Sequence, residues 1–474
     1  MSTPASIDLV HAPLALWARS RGDALASEDG SSSMSFAQLH EAVQQAAQAL
    51  DQAQAPATLF VDERAGTMRQ LLDFLAIVAS GRCAAVGDPD WTPAMRASAR
   101  GIFSGQPAPP RAPQPGSPFY VGFTSGSTGL PKGFRRDHRS WTESFRACLE
   151  TFGADAGTRV LAPGRFSHSL FLFGMMLGLW SGAGVVVQDR FSPARTLATL
   201  ARGDTPCLVA VPSQLAMMLD QVARRAHPPI EAVKLILISG ARWMRHRTPE
   251  LKALFPQARV VEFYGASETS FIAWMDADEA APPQAVGRPF YNVQLDLRDC
   301  DASGAGLIFV RSPMLFSDYV GPADPTAALR DGPWLSVRDM GWQDDTGRLF
   351  LAGRQHRMIV TQGKNLFPEE VEAVLCAHPD VAAASVHGLP DSVRGQQVVA
   401  IVQPRPGHAL QAAALAAHCR ERLEPFKAPR RFHACEDWPQ TPSGKTDHPR
   451  LAQALQQFMG APEGASQSCL RPLP

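Results

Sequence analysis

Residues 123–134 read FTSGSTGLPKGF, and these twelve positions hold three glycines, four hydroxyl side chains and one lysine. A segment so poor in apolar side chains does not build a core. Two readings stay open from its own residues. It is either an exposed loop, or a cradle in which backbone N–H groups, hydroxyls and one ammonium close around phosphate oxygens. It is not a Walker A loop, because Pro131 holds the place of the second glycine. The residues just before it, FYVGF at 119–123, read as an apolar strand that feeds the loop. Two other strand-like runs end in the same way. LILIS at 235–239 runs into Gly240, Ala241 and Arg242, and VVEFY at 260–264 runs into Gly265, Ala266, Ser267 and Glu268. In open α/β sheets ligands sit beyond the carboxyl ends of such strands.

Working outward, the short runs CLVAVP (207–212), KLILISG (234–240) and RVVEFYG (259–265) are continuously apolar and alternate with helical stretches. That texture predicts strands covered on both faces, as in a parallel α/β sheet. FAQLHEAVQQAAQAL (36–50) puts Phe36, Leu39, Val43, Ala46, Ala47 and Leu50 on one helical face. The eighteen uncharged residues 170–187 are long enough to span a membrane, with Gly174, Gly178 and Gly182 at small-residue spacing. The glycines at 182 and 184 favour a buried helix over 170–180, a turn and a strand instead, so no membrane span is expected. The proline-rich 104–118 reads as a stiff connector.

After about residue 353 the pattern changes to helix, strand pair and helix, a small α+β unit. The predicted division is 1–353, 354–460, and a disordered tail over 461–474, which is rich in Ala, Gly, Pro and Ser.

Lys and Arg total 45, as do Asp and Glu, so nothing in the net charge points to nucleic acid or an anionic membrane. Eight cysteines stand singly, without a Cys-x-x-Cys pair; this suggests neither a disulfide framework nor a zinc site, and fits a reducing cytoplasm. The first residues carry no basic region followed by an unbroken apolar run, so a signal peptide is not expected.

Five stretches in order carry a specific resemblance: FTSGSTGLPKGF, YGASE at 264–268, RDMGW at 338–342, GRQHRMIVTQGKNLFPEEVE at 353–372, and PQTPSGKTDHPRL at 439–451. Together they resemble the adenylate-forming superfamily of acyl- and aryl-CoA synthetases, nonribosomal peptide adenylation domains and luciferases. The resemblance implies an α/β fold: a large N-terminal adenylate-forming domain of mixed sheets and helices, and a small mobile α+β C-terminal domain. It implies ATP, Mg2+ and coenzyme A as the molecules handled. Thr124, Ser125, Gly126, Ser127, Thr128, Gly129 and Lys132 would wrap the phosphates. Glu268, with Thr124, would hold magnesium; Tyr264 would stack on adenine, with Gly240, Ala241 and Arg242 on its other side and Gly265 beside it. Ser267, where threonine is more common, would reach the α-phosphate.

Asp339 would take the ribose hydroxyls, and Arg354 the ribose or phosphate. Lys445 would hold a carboxylate oxygen and an α-phosphate oxygen as charge develops, and is the chief catalytic candidate. His356 stands at the hinge, a departure from the usual Asp or Lys to a side chain that titrates near neutrality, and the loop around Gly363 would serve thioester formation.

The acid pocket is less defined. No acidic residue lies between Glu150 and Asp189 except Asp155, which disfavours an α-amino acid substrate. His168, Phe171 and Ala266 are pocket candidates; His168 could equally be a satisfied core histidine, with Phe166 at its place after a two-residue slip. Phe171, Phe173, Met175 and Met176 suit an apolar acyl or aryl tail, and also suit core. The chain has no carrier-protein serine motif, so free CoA is the expected acceptor and a carrier protein in trans the alternative. A non-catalytic nucleotide-binding member is the reading from another class.

Overall fold

A computed structural model of the chain describes residues 7–105, 112–125, 131–225, 227–301, 304–321, 328–362, 364–391, 394–441, 444–460 and 469–474. The chain packs as two compact units. The first holds Met1–Ala280, Val286–Leu295 and Val310–Leu335; the second holds Ala281–Ala285, Asp296–Phe309 and Ser336–Pro474.

The first unit is built on a parallel sheet. Arg259–Ala266, Leu235–Ile238, Cys207–Ala210, Val160–Ala162, Val185–Val187 and Leu25–Glu28 lie side by side in that order, each parallel to the next. Every residue of Cys207–Ala210 and Leu235–Ile238 is buried, which is why the sequence there is continuously aliphatic rather than alternating. Helices cover the sheet with Leu215, Met218, Leu251 and Phe255, which pack on Leu208, Ile236 and Val260. The helix Ser169–Trp180 is buried from Phe171 to Trp180. Its glycines serve close packing on this sheet. A Cβ on Gly178 would lie 2.5 Å from the Gly184 carbonyl oxygen, and one on Gly174 would press Val209. Among the described residues no helix is long and apolar enough to cross a membrane.

A second sheet of the same unit runs Asp318–Val320, Pro131–Asp137, Pro118–Ser125, Cys83–Ala85 and Thr58–Phe60. Its first three strands are antiparallel, so residues 118–137 form a hairpin closed by Thr124 opposite Lys132 and Ser125 opposite Pro131. Gly133 faces Val320, and a Cβ there would lie 2.4 Å from the valine methyl, so the glycine lets the Asp318–Val320 strand approach.

In the second unit Asp339–Gln343 pairs antiparallel with Leu349–Arg354 and with the strand beginning at Gly306. Further on, Val381–Asp391, Gly395–Pro404, Arg431–Cys435 and Leu470–Pro472 form a four-stranded sheet. Val371, Leu375, Leu415 and Cys419 of two helices bury against it. The helix Pro368–Cys376 opens as its sequence predicts, with proline in the first turn followed by Glu369 and Glu370.

The expectation of a disordered tail over 461–474 does not hold for its last residues. Leu470–Pro472 pairs with Arg431–Cys435, Leu470 is buried, and the Ala412 N–H donates to the Pro474 carbonyl. Apolar Leu470 supplies the burial that composition alone did not weigh.

Candidate active site

In the first unit the paired strands of the hairpin 118–137 end at Ser125 and Pro131. Gly126, Ser127, Thr128 and Gly129 lie outside the described residues. Thr124 and Lys132 sit opposite each other near these strand ends, with Ser125 next along the strand. Lys132, Phe134 and Arg136 share one face of their strand, and all three are buried. The Lys132 ammonium lies 3.5 Å from the ring centroid of Tyr319.

The strand Arg259–Ala266 reaches the same unit's second cluster. Val260–Phe263 is buried and residues 264–268 are half-buried, so the chain emerges from the core at Tyr264. There the pairing with Ser270–Asp276 shifts register between Tyr264 and Gly265. Bulges of this kind re-aim side chains next to functional sites. Gly265 is required: a Cβ would sit 1.8 Å from the Ser270 carbonyl oxygen. The turn closes through the Ala266 N–H on Thr269 Oγ1 (3.0 Å), and Ser270 adopts a φ of 56°.

Glu268 stands on this turn and is held twice. Its carbonyl accepts from the Phe316 N–H at 2.7 Å, and its Oε1 accepts from the Tyr319 hydroxyl at 2.8 Å. Arg136 locks the turn from beneath. Only 1% exposed, its guanidinium donates to the Ser267 carbonyl (2.7 Å), the Ser270 hydroxyl (2.5 Å), the Met314 carbonyl (2.6 Å) and the Ser140 hydroxyl (3.2 Å). Burial pulls its pKa down to about 10, opposed by Asp137 and Glu268, so it stays charged at neutral pH. The Ser267 hydroxyl lies 3.4 Å from that of Ser169, at the start of the helix Ser169–Trp180.

Gly240 has a φ of 89°, and the neighbouring Ser239 hydroxyl donates to the Phe263 carbonyl, tying two strand ends together. Ala241 and Arg242 are exposed beyond it. Of the pocket candidates, His168 precedes the helix, its ring 5.1 Å from that of Phe171. Phe171 is buried and packs on Gly164, where a Cβ would overlap its ring. Ala266 is half-buried. Met175 and Met176 are fully buried, and Phe173 packs among Trp141, Phe145 and Phe271; these three serve as core.

The second unit brings a separate group together. Asp339 and Arg354 are directly opposed across antiparallel strands, and Arg354 Nε lies 3.3 Å from Asp339 Oδ1. Asp339 is buried, whereas the arginine side chain is mostly exposed. His356 follows in a single turn, Gln355–Arg357. Burial, then Arg354 and Arg357, lower its pKa against the opposing pull of Glu369 and Asp339, so at neutral pH it is uncharged. Arg357 is anchored on Glu369 (2.9 Å) and Glu372 (2.5 Å). Lys445 is exposed on a turn in which the Thr441 N–H donates to the Lys445 carbonyl and the Lys445 N–H to Thr441 Oγ1. Gly363 lies outside the described residues.

The family model of the AMP-binding enzyme matches residues 54–320, and that of the AMP-binding enzyme C-terminal domain matches 370–445. The chain belongs to the AMP-binding enzyme family. This AMP-binding enzyme is 40% identical over 350 residues to the uncharacterized acyl–CoA ligase YhfT of Bacillus subtilis (strain 168), covering 72% of this chain and 70% of that protein. It is 29% identical over 331 residues to the 2-succinylbenzoate–CoA ligase of Geobacillus kaustophilus (strain HTA426), covering 68% and 66%. Among solved structures, the o-succinylbenzoate CoA synthetase MenE of Bacillus subtilis with its acyl-adenylate intermediate superimposes with a TM-score of 0.81 at 22% identity, over 92% of this chain and 97% of that one. With ATP and a magnesium ion the same protein gives 0.79, at 22% identity over 93% and 98%. The fold of the AMP-binding enzyme is therefore the one the five sequence stretches imply.

Two residues of the site escaped the sequence reading, Arg136 and Tyr319. The signal for Arg136 was present: in PKGFRRD, strand alternation puts it on the buried face of Phe134.

Proposed function

We propose that this AMP-binding enzyme is an ATP-dependent acid:CoA ligase of the acyl-CoA synthetase kind. It joins a carboxylic acid to AMP with release of pyrophosphate, then passes the acyl group to coenzyme A. One observation carries the reading: the glycine- and hydroxyl-rich hairpin and the Glu268 turn meet on Tyr319, which touches both Lys132 and Glu268. Kinship to proteins named acyl–CoA and 2-succinylbenzoate–CoA ligases supports a CoA acceptor and an acyl or aryl acid.

Among the described residues no cluster of three or more His, Cys, Asp or Glu could hold a metal by itself. One carboxylate, Glu268, with the Thr124 hydroxyl is a donor set of hard oxygens. That set suits a magnesium ion arriving with ATP, which Glu268 and Thr124 would hold. When bound, it would supply positive charge against that of the departing pyrophosphate. The chain's own contribution is positional. Lys132 and the loop from Thr124 to Gly129 hold the β- and γ-phosphates, and the Ser267 hydroxyl meets the α-phosphate. Tyr264 stacks on the adenine, with Gly240, Ala241 and Arg242 on its other side. Asp339 accepts from the ribose hydroxyls, with Arg354 beside it.

A carboxylate oxygen then attacks the α-phosphorus while the bond to pyrophosphate breaks, and Lys445 holds a carboxylate oxygen and an α-phosphate oxygen as charge develops. In the second half the CoA thiol attacks the acyl carbon, AMP leaves, and the residues around Gly363 serve the thiol. The 354–460 region acts as the moving domain with its hinge at His356. His168, Phe171 and Ala266 line the acid pocket. We place the reaction in the cytoplasm; all eight cysteines are free thiols, which fits a reducing compartment.

The test is a panel of fatty, aryl and dicarboxylic acids incubated with ATP, Mg2+ and CoA, read by mass spectrometry. An acyl-CoA from one class supports the reading. Acyl-AMP formation that never passes to free CoA would transfer the acceptor to a carrier protein.

A further inference from the structure

Tyr319 lies outside all five sequence stretches, yet it joins two of them. Its strand, Asp318–Val320, is antiparallel to Pro131–Asp137, with Tyr319 opposite Phe134 and Val320 opposite Gly133. Directly opposed residues project to the same face, and the residue two places away on the partner strand is a diagonal neighbour within reach of an aromatic ring. Lys132 is that neighbour of Tyr319. The ladder therefore delivers the lysine to the ring face, where its ammonium lies 3.5 Å from the centroid with the residue only 9% exposed. A cation over a tyrosine face is held electrostatically, the more strongly when water is largely excluded.

The other end of the same ring reaches Glu268. The phenol donates to Oε1 at 2.8 Å and accepts from the Ala328 N–H at 3.3 Å. The Phe316 N–H fixes the Glu268 carbonyl at 2.7 Å, and the Phe316 ring packs edge-on to Tyr319 at 4.7 Å. One short segment, 316–319, thus fixes both the main chain and the carboxylate of Glu268. With Oε1 committed to the phenol, the rotamer of the carboxylate is defined. Partners of ligating carboxylates act in this way on metal affinity.

We propose that Tyr319 is a positioning residue for adenylation: one side chain sets the distance between the phosphate-binding lysine, on its ring, and the cation-binding carboxylate, on its hydroxyl. The inference rests on the roles given above to Lys132 and Glu268. It assigns two separable jobs to two parts of one residue, and the variants separate them. Tyr319→Phe keeps the ring beneath Lys132 and removes only the hydroxyl. Tyr319→Leu removes both.

The assay is acid-dependent exchange of labelled pyrophosphate into ATP, measured across Mg2+ and ATP concentrations in the full chain. For Tyr319→Phe the Mg2+ concentration giving half-maximal rate rises about 10- to 100-fold, the usual effect of losing such a partner. Saturating Mg2+ restores the rate, and the KM for ATP then stays near that of the unaltered chain. Tyr319→Leu adds a rise in the KM for ATP that Mg2+ does not correct. A purely structural tyrosine would lower the rate and melting temperature without moving the Mg2+ dependence, and that result overturns the proposal. Glu268→Gln is measured alongside. If it shifts the Mg2+ dependence and Tyr319→Phe does not, the role of Tyr319 is refuted while the site stands. If Glu268→Gln leaves the Mg2+ dependence unmoved, the site assignment falls and takes the proposal with it.

Discussion

Arg136→Met is the perturbation that most severely tests how the Glu268 turn is built. The arginine is 1% exposed and makes hydrogen bonds to two carbonyls, of Ser267 and Met314, and to two hydroxyls, of Ser270 and Ser140. Methionine fills similar length without a donor. The hydroxyls can reorient, whereas the two carbonyls lose their donor, that of buried Met314 out of reach of water and that of half-buried Ser267 partly so. An unsatisfied buried acceptor costs about 1–3 kcal/mol, so the two together cost about 2–6 kcal/mol. Removing a buried guanidinium returns part of this, because its own desolvation is relieved. The expected net loss is roughly 2–4 kcal/mol of stability.

The functional loss should exceed what unfolding explains. Displacement of Ser267 and Glu268 by about 1 Å is enough to slow positioning-limited chemistry by about 100-fold. Denaturant unfolding monitored by tryptophan fluorescence gives the first quantity, and pyrophosphate exchange at a temperature where the variant stays folded gives the second. Arg136→Lys, which keeps the charge with fewer donors, should fall between. If Arg136→Met unfolds within about 0.5 kcal/mol of the unaltered chain and exchanges pyrophosphate at its rate, a typical outcome for surface sites, the reasoning about the turn is wrong.

Three other outcomes follow. In the second unit His387 and His448 share the Ser385 hydroxyl at 2.8 Å each, and burial, reinforced by Arg357, lowers both pKa values to about 3. Glu372 lies 3.7 Å from His448, but its charge is matched by Arg357, so burial prevails. The unfolded chain then binds the extra protons. Stability is fully present above about pH 7.5 and falls as pH drops through 6.5, by about 2 kcal/mol per histidine at pH 5. His387→Gln with His448→Gln should flatten that slope in denaturant titrations. Gly265→Ala forces a Cβ against the Ser270 carbonyl, and should cost about 1–3 kcal/mol in unfolding experiments. It should also slow pyrophosphate exchange, since the bulge sits beside Tyr264. Lys445→Ala, on an exposed turn, should leave the melting temperature near that of the unaltered chain while adenylation falls about 100- to 1,000-fold, the usual loss for a donor to developing charge.

Much of the fold was legible because its cues are local. Continuous aliphatic runs gave the parallel strands, and Gly182 and Gly184 marked the end of the buried helix Ser169–Trp180. The strand ends that carry residues 124–132 and 264–268 could also be read, since small polar residues follow each run abruptly. What could not be read was set by contacts far apart in sequence. Tyr319 meets Glu268 across 51 positions, and Arg136 meets Ser267 across 131. No local pattern around SDYVG marks that tyrosine, and an arginine beside another arginine reads as solvated charge. Strand alternation from Phe134 was the overlooked cue, because it distinguishes buried Arg136 from half-buried Arg135. The end of the chain misled for a related reason: its composition suggests disorder, while Leu470 alone gives the strand Leu470–Pro472 an apolar anchor.

The central claim is that this chain activates a carboxylic acid on ATP before any thiol takes part. Exchange of labelled pyrophosphate into ATP, measured without CoA across the acid panel, tests it most directly. The account predicts exchange that requires both Mg2+ and one class of acid, and that collapses in Lys445→Ala. Exchange absent with every acid, in protein that is folded and binds ATP, or retained at full rate by Lys445→Ala, would contradict it.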